Sequence, residues 1–161
     1  DEKRTVDDIR SAMLDADIIY VGGGNVEFMM DTWKKTGADK ALVEAYNSGK
    51  VMSGYSAGAV CWFDTGYDDC GPDHSFIFCD CLGILPYCAC PHYESGNWQT
   101  FKTAIKSRPE KGVAIENGAA LIYVDGKYST IRGNDGGDVW IIDKNDEHNV
   151  SENSDYLNKI G

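Results

Sequence analysis

The chain has 161 residues, 42% of them hydrophobic and 11% aromatic, which suits one domain with a single core. Its 26 acidic and 15 basic residues leave a net charge of −11, which repels phosphate backbones and argues against nucleic-acid partners. No stretch approaches the roughly 20 apolar residues of a membrane-spanning helix and no signal peptide is visible, so a cytoplasmic protein without membrane contact is expected.

The chain does not begin with Met, so Asp1 reads as a processed terminus or the edge of a fragment. Thr5 to Leu14 reads as a helix, with Thr5 as its cap, Asp7 and Asp8 in its first turn, and apolar residues at helical spacing. Ala16 to Val21 is a short apolar run ending in Gly22-Gly23-Gly24, the pattern of a buried parallel strand. Val26 to Thr36 and Asp39 to Ser48 read as helical, broken at Gly37 and stopped at Gly49. Lys50 to Tyr55 is a second buried strand, and Ser56 to Phe63 opens a helix of small residues. Asp64 to Cys81 reads as irregular, and Leu82 to His92 carries the breakers Gly83, Pro86 and Pro91. Trp98 to Lys106 has Trp98, Phe101 and Ile105 on one helical face. From Gly112 the period shortens: VAIE, ALIYVD, KYSTIR and VWIID read as strands, with Asp125-Gly126 as a hairpin turn. The tail beyond Asn145 is polar and peripheral. Helices alternate with strands early and hairpins come late. The expected fold is therefore one α/β domain over residues 1–161, a mostly parallel sheet flanked by helices with antiparallel hairpin strands at the C-terminal end.

Six cysteines are many for this length, and four fall in C-x-C-x6-C-x-C, from Cys79 to Cys90, with His92 just beyond. Structural zinc sites space paired thiolates by two or more residues, so buried reduced thiols are expected in preference to a metal site or disulfides.

Gly54-Tyr55-Ser56-Ala57-Gly58 matches G-x-S-x-G between a strand and a helix, the setting of a nucleophile elbow. The plain alternative is a tight packing turn that happens to hold a serine. A nucleophilic serine needs a base. His148 sits in the polar tail and His74 in an acidic loop, whereas His92 follows Cys90-Pro91 at the end of an apolar run and is the best candidate. The imidazole needs an orienting acid. Glu116 ends a strand, where open α/β sheets place ligands, and ranks first. Glu94, and the aspartates after the elbow helix, are alternatives. Gly22-Gly23-Gly24-Asn25 lacks both the dinucleotide pattern and a P-loop lysine. It suits an oxyanion hole instead, with N–H groups from Gly24 and from Ala57 after the nucleophile.

ADIIYVGGGN, GYSAGAVCWF, LGILPYCACPHYE and AIENGAALIYVDGKY together resemble the consecutive signatures of the peptidase E (aspartyl dipeptidase) serine peptidases, relatives of cyanophycinase, from about Ser11 to Ile142. The resemblance implies a class I glutamine amidotransferase-like fold with serine in place of cysteine. It implies a triad of Ser56, His92 and Glu116, with Asp69 or Glu94 as alternative acids. It implies that strand–helix units usual in the family before this portion are missing here, leaving sheet edges that invite self-association into a homo-oligomer. The family's aspartate-reading arginine has no counterpart between Glu94 and Lys106, so the substrate side chain is left open. The expected activity is hydrolysis of short peptides by a serine dipeptidase-like enzyme through an acyl-enzyme, with no metal or organic cofactor. The alternatives are a non-catalytic or truncated binding module, and another amidase of this fold.

Overall fold

The computed structural model describes residues 4–152 of the chain; Asp1 and the polar end of the tail, residues 153–161, lie outside the described residues. Two compact units emerge, one running to Leu85 and the other from Pro86.

The first unit holds α1 (Val6–Asp15), β1 (Ile18–Val21), α2 (Val26–Thr36), α3 (Ala38–Asn47), β2 (Val51–Gly54), α4 (Ala57–Val60), β3 (Phe63–Asp68) and β4 (Ile77–Asp80). A capping box starts α1: the Asp8 N–H donates to Thr5 Oγ1 and the Thr5 N–H donates to Asp8 Oδ2. No α1 residue is fully buried; an Arg10–Glu44 ion pair ties it to α3. Asn25 caps α2 through its Oδ1, which accepts from the Phe28 N–H at 2.7 Å. Gly37, at φ 74°, ends α2 in the left-handed region and lets α3 begin at once. The two helices bury Val26, Met30, Ala41, Leu42 and Ala45. β1 and β2 pair in parallel from Ile18–Val51 to Val21–Gly54, so two strands end together where the glycine loop and the elbow begin.

The segment expected to be irregular contains a hairpin instead. β3 and β4 pair antiparallel from Thr65–Asp80 to Asp68–Ile77. The sequence FDTGYD carries two aspartates and a glycine, which are poor strand formers, so local propensity hides it. Packing decides: a Cβ on Gly66 would lie 2.2 Å from Val60 Cγ1, so α4 rests directly on the β3 backbone. For the same reason α4 is only four residues long, not the helix to Phe63 that the small residues suggest.

The second unit holds β5 (Leu85–Cys90) from its second residue on, α5 (Phe101–Ala104), β6 (Gly112–Ile115), β7 (Ala119–Val124), β8 (Lys127–Arg132), β9 (Val139–Ile142) and β10 (Glu147–Asn149). β5 pairs in parallel with β6, β6 antiparallel with β9, and β9 antiparallel with β10. β7 and β8 form the expected hairpin around Asp125-Gly126, both at positive φ. The helix expected over Trp98–Lys106 is a single α-turn between two 3-10 stretches, Gly96–Thr100 and Ile105–Ser107. Phe101 and Ile105 still face inward and are fully buried, and a Cβ on Gly112 would lie 2.7 Å from Phe101 Cζ. The polar tail also contributes structure: His148 pairs with Ile141, and Val150 is buried.

The architecture is α/β as expected, with parallel strand pairing beside helices and antiparallel strands toward the C-terminal end. Among the described residues no helix is long and apolar enough to cross a membrane.

Glycine contacts at the end of β1 and β2 give a direct test of packing. A Cβ on Gly58 would sit 2.1 Å from the Val21 carbonyl oxygen, while one on Gly22 meets nothing within 4 Å. Gly58→Ala is expected to lower stability by about 1–3 kcal/mol or more, the usual cost of overpacking, and Gly22→Ala to leave the urea unfolding midpoint nearly unchanged.

Candidate active site

Ser56 sits between β2 and α4 at φ 54°, ψ −126°, a conformation that an L-residue with a side chain rarely adopts. Holding it there costs roughly 1–3 kcal/mol, supplied by surrounding packing. The packing is backbone on backbone. A Cβ on Gly54 would lie 2.3 Å from the Gly58 carbonyl oxygen and 2.6 Å from that of Val21. The elbow therefore closes only with glycine at both positions, which is the reason for the small residues around Ser56. The Ser56 hydroxyl does not cap α4, although Ser56 is the residue in the cap position. Ala57 is fully buried, and its N–H opens α4, where no intrahelical acceptor exists for it.

The glycine loop lies against the elbow. A Cβ on Gly23 would be 3.2 Å from Ser56 Cβ and 3.1 Å from Tyr55 Cζ. Gly24, at φ 153°, leaves room around itself: a Cβ there meets nothing within 4 Å. A cavity of about 520 Å³ opens beside the loop, lined by Gly24, Asn25, Asp68, Asp69, Cys70 and His74 among others. Asp69 thus lies on the Gly24 side of the first unit. His74, expected to be an ordinary loop histidine, closes a 3-10 turn at φ 57° on the same cavity.

His92 belongs to the second unit, directly after β5 and Pro91, and also has a positive φ of 54°. Its ring meets the edge of Trp98 at 5.3 Å between centroids. Its Nδ1 lies 2.7 Å from Asn117 Oδ1. Asn117 is oriented in turn by Glu94, whose Oε2 accepts the Asn117 backbone N–H at 2.9 Å and whose Oε1 accepts from Asn117 Nδ2. With its amide nitrogen on a carboxylate, Asn117 presents its oxygen to His92. The imidazole must then donate from Nδ1, and in the neutral ring Nε2 keeps its lone pair. That is the tautomer a general base requires.

Glu116 goes elsewhere. Its Oε2 accepts the Asp138 N–H at 2.8 Å and its Oε1 accepts the Trp140 indole N–H at 3.0 Å. Both oxygens are engaged, one by Asp138 just before β9 and one by Trp140 on it, and the residue that hydrogen-bonds His92 Nδ1 is its neighbour Asn117. The physical reason is strand alternation. Ala114 pairs with Trp140, so Glu116, two residues on, falls on the Trp140 face, and the next side chain turns away from it. Asn117 is held by its carbonyl, which accepts from Gly137 N–H at 2.8 Å, and by Gly118 at φ 76°, packed on Gly136. The Asn-Gly pair after the strand is visible in sequence as a turn, but nothing there reveals that its amide faces a histidine. Tyr93 is a second residue the sequence does not single out. It is buried beside His92, and its hydroxyl donates to Glu147 Oε1 at 2.6 Å, anchoring the histidine segment to β10.

All six cysteines are free. Cys79 lies in β4 and Cys88 and Cys90 in β5, and among the described residues no three His, Cys, Asp or Glu are arranged to hold a metal ion.

The profile of Peptidase family S51 matches residues 1–131, and the chain belongs to that family. It is 35% identical over 150 residues to the uncharacterized peptidase YgaJ of Bacillus subtilis strain 168, a match covering 90% of this chain and 64% of YgaJ. Two crystal structures share the fold. One, from Listeria monocytogenes EGD-e and described as a candidate peptidase E protein, superposes with a TM-score of 0.63 at 24% identity, over 81% of this chain and 67% of that one. The other, a peptidase from an acI-B1 Actinobacterium, gives 0.71 at 18% identity, over 92% and 62%. The chain therefore spans somewhat under two thirds of the length of the curated relative YgaJ.

Burial works against the charge of Glu94, but the Asn117 N–H, its own N–H, the Ser95 hydroxyl and His92 outweigh it, and its carboxyl is held below the usual range. A depressed native pKa contributes stability above the unfolded value, about 4.3, and that contribution disappears as pH falls through the native pKa. Glu94→Gln is expected to unfold at lower temperature than the parent at pH 7. The gap should close on acidification below about pH 4, read as Tm against pH.

Proposed function

We propose that the protein is a serine peptidase acting on short peptides, in the manner of a dipeptidase. The observation that carries the reading is the backbone of Ser56: a non-glycine residue at φ 54°, ψ −126° on a strand-to-helix turn that only glycines at 54 and 58 permit. Strain of this kind is kept where it serves a reaction, because it lifts a hydroxyl clear of the backbone and frees the next N–H.

In this reading Ser56 Oγ attacks the scissile carbonyl and His92 Nε2 takes its proton. Asn117 holds the imidazole in the needed tautomer, and Glu94, through Asn117, supplies the negative charge that favours the imidazolium as it forms. The Gly24 and Ala57 N–H groups receive the developing oxyanion; loss of one such donor typically costs about 3 kcal/mol of transition-state stabilisation. The leaving amine takes its proton from His92, and water, deprotonated by the same ring, releases the acid from Ser56. Glu116 supports the Asn117 turn through β9. The reaction needs no metal or organic cofactor, and a cytoplasmic setting suits it.

Labelling with a fluorophosphonate followed by peptide mapping is expected to modify Ser56. Ser56→Ala and His92→Ala should each lose about 10⁴-fold or more in kcat/KM on a dipeptide panel. Asn117→Ala should lower kcat more than Glu116→Gln does, and Asp69→Asn should leave kcat within a few-fold of the parent. An unlabelled parent whose Ser56→Ala variant hydrolyses peptides at the parental rate rules the mechanism out. A collapse on Asp69→Asn with little effect from Asn117→Ala moves the orienting role to Asp69.

A further inference from the structure

The thiols of Cys70 and Cys79 are 3.3 Å apart, sulfur to sulfur. Nothing in the four-cysteine pattern foretells this pairing, since Cys70 lies outside the pattern and Cys79 would sooner be matched with Cys81, two residues on. The tertiary structure makes the pair by turning the chain through Gly71 and the Pro72–His74 turn, so that the segment after β3 returns alongside β4. Gly71 is wedged there: a Cβ on it would lie 2.6 Å from Ser75 Oγ and 2.7 Å from Ile77 Cγ2, and its N–H donates to the Ser75 carbonyl at 3.0 Å. The tightness of this turn keeps the two cysteines together.

The two sulfurs differ in access. Cys70 is half-buried and lines the cavity beside Gly24, whereas Cys79 is 6% exposed on β4. A small oxidant thus has a route to Cys70 and little to Cys79. Burial pushes both thiols up from the ordinary value, Cys79 strongly; at Cys70 the Glu27 N–H, in the first turn of α2, works against the rise.

We propose that Cys70 and Cys79 form an oxidisable dithiol, Cys70 attacking and Cys79 resolving, that closes to a reversible disulfide on reaction with a small disulfide such as glutathione disulfide. In the first step the Cys70 thiolate attacks one sulfur of glutathione disulfide. That S–S bond breaks, one glutathione leaves as thiolate and takes up a proton, and Cys70 carries the other. In the second step Cys79, giving its proton to water, attacks the Cys70 sulfur and expels the second glutathione. Two protein thiols are oxidised and one glutathione disulfide is reduced to two glutathiones. The sulfurs need to close by about 1.3 Å to reach the bonded length of about 2.05 Å. The bond would fasten the segment after β3, one wall of the Gly24 cavity, to β4. Formation of the bond stands on the sulfur geometry alone and not on the reading of Ser56 as a nucleophile.

The test uses the full reduced chain with glutathione disulfide at mildly alkaline pH, followed by intact mass and peptic mapping in acid. Pepsin is required because no Lys or Arg lies between Lys50 and Lys102, so trypsin leaves all six cysteines on one peptide. The expected result is a loss of two hydrogens with no glutathione retained, mapped to Cys70–Cys79 and reversed by dithiothreitol. Cys79→Ser should instead trap one glutathione on Cys70, Cys70→Ser should show neither product, and Cys81→Ser should behave as the parent. A two-hydrogen loss that maps to another pair overturns the proposal. So does a stable glutathione adduct on Cys70 in the parent, or folded protein that stays unreacted while urea-unfolded protein oxidises.

Discussion

The chain depends at one point on two carbonyl groups lying where side chains cannot. The Val21 carbonyl, at the end of β1, presses on Gly54 and Gly58, and the Gly58 carbonyl presses back on Gly54. This contact sets the end of two parallel strands, starts α4, and forces Ser56 into a conformation that costs energy. The sheet end, the glycine loop beside it and the serine are thus consequences of one backbone approach. A side chain of any size at either glycine separates them.

The second unit solves a different problem, that of holding an imidazole in one tautomer. It does so with a neutral amide backed by a carboxylate, Asn117 and Glu94, and not with a carboxylate directly on the ring. The arrangement has a physical logic. Glu94 accepts two N–H groups from Asn117 and one hydroxyl from Ser95, so its charge is spread over a local network. The amide has one oxygen and one nitrogen, so fixing the nitrogen fixes which end meets the ring. A carboxylate, which only accepts, would hold the same tautomer, so what the amide changes is the distance of the charge from the ring. Glu147 on β10 braces the same segment through the Tyr93 hydroxyl.

Legibility in the sequence follows the range of the interaction. The elbow was readable because its demands are local: a strand, a serine, glycines two residues to either side, and a helix. The glycine loop, the cap at Thr5 and the Asp125-Gly126 hairpin were readable on the same ground. β3 was not, because FDTGYD owes its strand to α4 lying on Gly66 and not to propensity. Asn117 was not, because the partner of His92 is decided by strand alternation: one residue's difference in register sends Glu116 to Trp140 and Asn117 to the ring. Membership of Peptidase family S51 bears out the resemblance drawn from four linked motifs, which no single motif would have supported.

The sequence by itself determined the α/β class, the strand–turn–helix around Ser56, the glycines that make it closable, and His92 as the histidine at the end of an apolar run. These rest on period, on φ and on steric size, which short stretches carry whole. Only the tertiary structure decided what meets what: Asn117 on His92, Glu116 on β9, Cys70 against Cys79, Gly23 against Ser56. Such pairings join residues far apart in the chain or hang on which face of a strand a side chain takes. They are settled by the packing of whole elements, to which no single stretch of residues has access.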